Sequence, residues 1–267
     1  MEENNEQLIA HFDMDEQFDQ EISLKRLIGN DSARAILQLH IDQFFNDRLA
    51  GKNPQLVPIL LTYEKCSGVH TFARSISNSL ASLCFHTVSG TWLSDGVIYL
   101  HSFIGEGEDE TYYIAGDKLS SNVQMQLWKM LTERKLFYYD FESLSWKKKP
   151  LSGNKLIILS IEKKESISYP LLKQFKIQVN LTKLTVDEIE LALRQRVSLL
   201  NIKISDQGLL GKIAQSCGEI GRAMEILSLS QLIMTSRNEN IISESFFNAA
   251  LHLLSNNTKA ANQKIGQ

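Results

Sequence analysis

The 267-residue chain reads as an α/β protein, a parallel five-stranded sheet with flanking helices to about residue 182, followed by a small four-helix domain. Three observations predict this. Short apolar runs alternate with segments of helical periodicity through the first two thirds of the chain. One of those runs, "DGVIYLHSF" (95–103), is apolar enough to be central in a sheet covered on both faces. Beyond residue 182 the pattern changes to four consecutive helical segments that open on Ser, Thr or Asp start signals.

Taken in order, residues 1–22 form an acidic arm with no Lys or Arg before Lys25. Residues 23–182 form the α/β domain. In its first helix Ala33, Ile36, Leu37, Ile41 and Phe44 recur at helical spacing, with Asn30 or Asp31 as N-cap. "GKNP" ends that helix, "QLVPILLTY" reads as a buried strand, and residues 69–83 as the next helix. "CFHTVSG" (84–90) and "DGVIYLHSF" are the second and third strands. An acidic loop, "GEGEDE", and an amphipathic helix over 118–135 follow. A β-hairpin (136–153) leads into a fourth strand at 156–161, and "FKIQVNL" (175–181) is the fifth. Residues 183–255 make the helical domain, and 256–267 are expected as a disordered tail.

A net charge of -3 and a pI near 6.1 exclude coating of nucleic acid by bulk charge, though not a local basic patch. No apolar run approaches the length of about 20 residues that a membrane span needs, and no signal-like segment opens the chain. The cysteines Cys66, Cys84 and Cys217 are scattered, fitting neither a disulfide framework nor a Cys-x-x-Cys metal site. The expectation is a cytoplasmic protein with no membrane partner.

"LLTYEKCSGVHTFARSISNSL" (60–80) has the outline of a phosphate-binding strand–loop–helix with Gly68 at the joint. A P-loop needs glycines so that backbone N–H groups wrap phosphates, a Lys for the β/γ-phosphates and a Ser/Thr for Mg²⁺. Val69 and His70 stand where Lys and Ser/Thr belong. Register extends over residues 20–254: "LKRLIGNDSARAIL", this loop, "VSGTWL", "LTVDEIELALRQRVSLLNIKISDQGLLGKIAQSCG" and "NENIISESFFNAALHLL" together resemble AAA+ ATPases. They are most similar to the RuvB branch-migration motors. The resemblance implies an AAA+ P-loop-type sheet with a helical lid, and the expectation from the chain's length is that the winged-helix domain that follows the lid in that family is lacking.

The departures from the family fall on its chemistry. The nucleotide-binding residues that the resemblance implies are Gly68, Val69, His70, Thr71 and Arg222. The last opens a sensor 2-like helix with the spacing of the delta-prime clamp-loader subunit. The Walker B strand, matched to "VIYLHSF", ends in His101-Ser102 rather than Asp-Glu. The arginine-finger turn reads "PLLKQF" (170–175). Phosphoryl transfer rests on electrostatic stabilisation, so these losses together imply a pseudo-ATPase with weak or absent ATP/ADP binding, no Mg²⁺ requirement, no other cofactor and no catalytic residue. His11, His40, His86 and His252 show no mutual metal spacing, and no metal site is expected.

The hairpin sits where RuvB-like proteins insert one that docks partners or reaches substrate. Tyr138, Trp146, Lys147, Lys148 and Lys149 combine stacking surface with positive charge, suited to single-stranded DNA or an acidic partner. Strand alternation places Phe137, Tyr139 and Phe141 against the domain and leaves Tyr138 outward. Three readings remain open: an inactive subunit or adaptor in a homo- or hetero-oligomer with other AAA+ subunits; a divergent helicase subunit that binds nucleotide and completes its site with a neighbour; or a scaffold reused for an unrelated interaction.

Overall fold

The computed structural model describes residues 22–81, 84–105, 110–116, 118–140 and 142–265, the last ten as backbone only. The acidic arm up to Glu21 and most of the acidic loop lie outside the described residues. The sheet has five parallel strands in the order β2-β3-β6-β1-β7: β1 (Ile59–Tyr63), β2 (Phe85–Ser89), β3 (Glu110–Ala115), β6 (Lys155–Ile161) and β7 (Ile177–Leu181). Every residue of β6 is buried, as a strand covered on both faces requires. One face packs with α1 (Asp31–Leu49) and α2 (Val69–Ser79) through Leu37, Ile41, Phe72 and Ile76. The other packs with α3 (Gly90–Ser94), α4 (Leu100–Phe103), α5 (Ser121–Glu133) and α6 (Tyr169–Leu172) through Leu93, Leu100, Leu127 and Leu171.

The expected third strand at 95–103 is not one. Gly96 turns the chain at φ 72, Val97 and Tyr99 are exposed, and Leu100–Phe103 is a short helix that buries Leu100. The strand beside β6 is instead β3, "ETYYIA". Its tyrosines are buried because their hydroxyls find partners: Tyr113 meets Ser160 Oγ at 2.9 Å, and Tyr112 donates to Glu110 and accepts the Gly105 N–H at 2.9 Å.

The hairpin, β4 (Lys135–Asp140) and β5 (Ser145–Pro150), is a separate two-stranded sheet. The C-terminal helices are α7 (Val186–Leu199), α8 (Gly208–Cys217), α9 (Ile220–Ser236) and α10 (Glu244–Ile265), with a common core that includes Leu193, Ile213, Leu227 and Phe247. A capping box between Thr185 and Glu188 starts α7. The last helix runs on to Ile265, through the segment expected as a disordered tail. That segment has no Gly or Pro before Gly266, and its Ala, Lys and Gln residues are good helix formers. Among the described residues no helix is long and apolar enough to cross a membrane.

Candidate functional site

At the carboxyl end of β1 the chain turns through Glu64–Gly68 into α2. Both Cys66 (φ 65) and Gly68 (φ 73) are left-handed. A cysteine thus adopts a conformation that glycine takes without strain. Gly68, as N-cap of α2, brings no side-chain cap, and no acidic residue occupies the first turn. The loop is tied down by protein groups. Glu64 accepts the Lys183 N–H at 3.0 Å, and a hydrogen bond to Glu219, with burial, raises the pKa of the Cys66 thiol. Two carboxylates therefore stand beside the loop.

Above the loop lies a cavity of about 460 Å³. Its floor is Cys66–Phe72, one wall is Leu27, Ile28 and Asn30, and its roof comes from Ala192, Gln195 and Arg196 of α7 and Ile220, Gly221 and Met224 of α9. The predicted residues Gly68, Val69, His70 and Thr71 all line it. Ser67 is buried there, and among the described residues its hydroxyl has no hydrogen-bond partner. His70 meets Phe85 and Tyr113 edge-on at 5.8 and 5.6 Å, and desolvation and then Arg74 lower its pKa. Its imidazole is thus held neutral, unlike the ammonium of a P-loop lysine.

The predicted Arg222 is exposed and does not line the cavity. The cation that does is Arg196, which sequence reasoning missed. It is buried, a guanidinium nitrogen lies 3.8 Å from Met224 Sδ, and desolvation lowers its pKa to about 10. The signal was present: Ile189, Ala192, Leu193, Arg196 and Val197 form the apolar stripe of α7, with the arginine in the middle of it.

His101 and Ser102 do not stand at the end of a sheet strand, since both lie in α4. The third strand ends at Ala115-Gly116, followed by Asp117, which lies outside the described residues. Gly116 donates to Ser160 O at 2.7 Å, and a Cβ added to it would sit 2.4 Å from Leu159 Cδ1. A Cβ on Gly90 would sit 2.6 Å from the Ala115 carbonyl. Two glycines thus close this strand end. At the arginine-finger turn, Lys173 lies over the Tyr169 ring at 4.6 Å.

In the hairpin the expected faces are exchanged. Leu136 is buried and Tyr138 stacks on His101 at 4.6 Å, so the even-numbered face packs on the domain. The odd-numbered face carries Phe137 under Lys129 and Lys148, at 5.3 and 5.4 Å, and Tyr139 edge-on to Trp146 at 5.7 Å. The cause is α4: the helix that replaces the expected strand supplies His101 as a seat for Tyr138. Lys147 is ion-paired with Asp140, and Phe141 lies outside the described residues.

No family profile matches the chain, and no curated protein matches it. Solved structures do, and together with the sheet order and the helical lid they define the class, an AAA+ fold of RuvB type. The Thermotoga maritima RuvB Holliday junction branch migration motor superposes with a TM-score of 0.65 at 19% identity, over 89% of this chain and 73% of that one. A mutant of the same motor gives 0.64 at 20% identity, over 87% and 73%.

Proposed function

We propose that the protein is a non-hydrolysing RuvB-like AAA+ subunit or adaptor that works by binding within a larger assembly. The observation that carries this reading is the closed end of β3. Among the described residues no carboxylate stands where β3 ends, at Ala115 and Gly116, and the close packing of Gly90 and Gly116 disfavours a side chain at either glycine. Val69 in the loop gives the same answer for the phosphate-neutralising lysine. Its test is ATP turnover by the purified chain, expected to be absent. Turnover of about 1 s⁻¹ or more that is lost in Thr71→Ala would overturn it.

The second reading, a nucleotide binder completed by a neighbouring subunit, is favoured by the cavity and by Arg196. An apolar chamber with one buried guanidinium suits a nucleoside carrying few phosphates. Calorimetry with ADP separates the two. Weak or no binding, unchanged by Mg²⁺, fits the adaptor, and Mg²⁺-dependent binding fits the divergent motor. DNA contact is assigned to the odd-numbered hairpin face, where Trp146 and Tyr139 offer stacking area beside Lys148.

A further inference from the structure

We infer that Cys84, His86 and Glu110 form a binding site for one zinc-class divalent cation at the amino end of the sheet. It lies at the opposite end from the P-loop-like turn. The placement follows from strand register. Phe85 pairs with Thr111, so Cys84 is level with Glu110 and His86 with Tyr112. Alternation puts Cys84 and His86 on one face of the β2 edge, next to Glu110 and Tyr112. One ligand atom from each of the three residues lies within 4.8 Å of the others.

Two features point to a ligand. His86 Nε2 is shut off from solvent and, among the described residues, has no hydrogen-bond partner. It stands 3.6 Å from Glu110 Oε1, too far for a hydrogen bond but close to the spacing of roughly 3.4 Å between nitrogen and oxygen ligands on a tetrahedral zinc. The other carboxylate oxygen, Oε2, is already occupied: it accepts from Tyr112 and lies 3.4 Å from Lys155 Nζ. Those contacts orient the carboxylate with Oε1 towards the imidazole, as outer-shell partners of metal ligands do. Tyr112 also stacks on the His86 ring at 4.8 Å, fixing its plane.

Donor chemistry selects the ion. Thiolate, imidazole and carboxylate together suit Zn²⁺ and not Mg²⁺ or Ca²⁺, which want oxygen. The buried Lys155 offsets the charge of Glu110, so the Cys84 thiolate has to supply the remaining negative charge. Among the described residues three protein ligands are present, leaving a fourth position on the exposed Cys84 side for water or another side chain.

Cobalt(II) titration of the metal-free full chain tests this. One equivalent should produce a thiolate-to-cobalt charge-transfer band, displaced by Zn²⁺, and zinc should raise the thermal midpoint. Cys84→Ser, at an exposed position, should fold normally and lose the band and the zinc-dependent shift. His86→Ala should weaken cobalt binding more than about tenfold. Cys66→Ser and Cys217→Ser should behave as the parent chain. No band in the parent chain, or a band that survives Cys84→Ser, would overturn the assignment.

Discussion

The two ends of the parallel sheet differ in how their polar groups are held. At the carboxyl end the loop into α2 and the cavity above it present Val69 and the buried imidazole of His70, and two packed glycines, Gly90 and Gly116, close the end of β3; on the proposed reading these stand where a nucleotide site would carry its charges. The amino end gathers Cys84, His86, Glu110, Tyr112 and Lys155 across three strands in register, with Tyr112 and Lys155 buried, His86 and Glu110 partly buried and Cys84 exposed. Charges that serve only a ligand can be lost without cost to the fold. Charges buried against one another cannot, because removing one strands the rest. The comparison therefore predicts opposite responses to substitution at the two ends.

The largest effect should come from forcing a carboxylate back into the closed strand end. Gly116→Asp places a Cβ against Leu159 and a charge where Gly116 now bonds Ser160, and should cost about 3 kcal/mol. Ser102→Asp, on exposed α4, should change stability by no more than about 0.5 kcal/mol. Urea unfolding of both variants separates the true strand end from the one the sequence suggested; equal effects would break the comparison.

Of comparable size is Glu110→Gln, which removes the carboxylate beside the buried Lys155 and should destabilise by about 3 kcal/mol. The pH dependence carries a sign. Burial would raise the Glu110 pKa, but Tyr112 and Lys155 outweigh it and the net shift is downward from 4.5. Its contribution is therefore complete above the unfolded value and disappears as pH falls through the lower folded one. The parent chain should lose stability on that acid limb, and Glu110→Gln should lose less. Ser67→Ala tests the other end with the opposite sign. Among the described residues its buried hydroxyl has no partner, so removing it should stabilise by about 1 kcal/mol, measured as a rise in thermal midpoint.

Much of this architecture was legible in the sequence. Four of the five strands, the loop, the hairpin and the helical lid follow from periodicity and turn signals. The third strand was not, because "VIYLHSF" looks more apolar than "ETYYIA". Burial of Tyr112 and Tyr113 depends on hydroxyl partners, Glu110, Gly105 and Ser160, that only the folded sheet brings near. That one misplacement carried others with it. It put the Walker B position on His101 and Ser102 and hid the nearness of Cys84 and His86 to Glu110. The hairpin faces have a separate cause: the apolar odd-numbered side chains suggest the packed face, whereas Tyr138 finds its seat on His101. Arg196 was hidden differently, since a cation in an apolar stripe reads as an interruption until the cavity beneath it is seen.

The smallest effect on stability should come from the hairpin, whose charges belong to neither end of the sheet. Trp146 is 69% exposed, and Lys148 lies over Phe137 on the same outward face. Lys147, on the opposite face, is engaged with Asp140, whose carboxyl it holds down at a pKa of about 2. If the odd-numbered face is the working surface, Lys148→Glu and Trp146→Ala should each weaken single-stranded DNA or partner binding several-fold. The loss for Lys148→Glu should shrink as salt rises, because it is a screened charge effect. Lys147→Glu should matter less, because it removes a cation already satisfied within the hairpin. None of the three should move the thermal midpoint appreciably, since exposed charges contribute little to folding. Binding that responds to Lys147→Glu and ignores Lys148→Glu and Trp146→Ala would place the contact on the other face, and the packing of Tyr138 on His101 would then have to open for a partner to reach it.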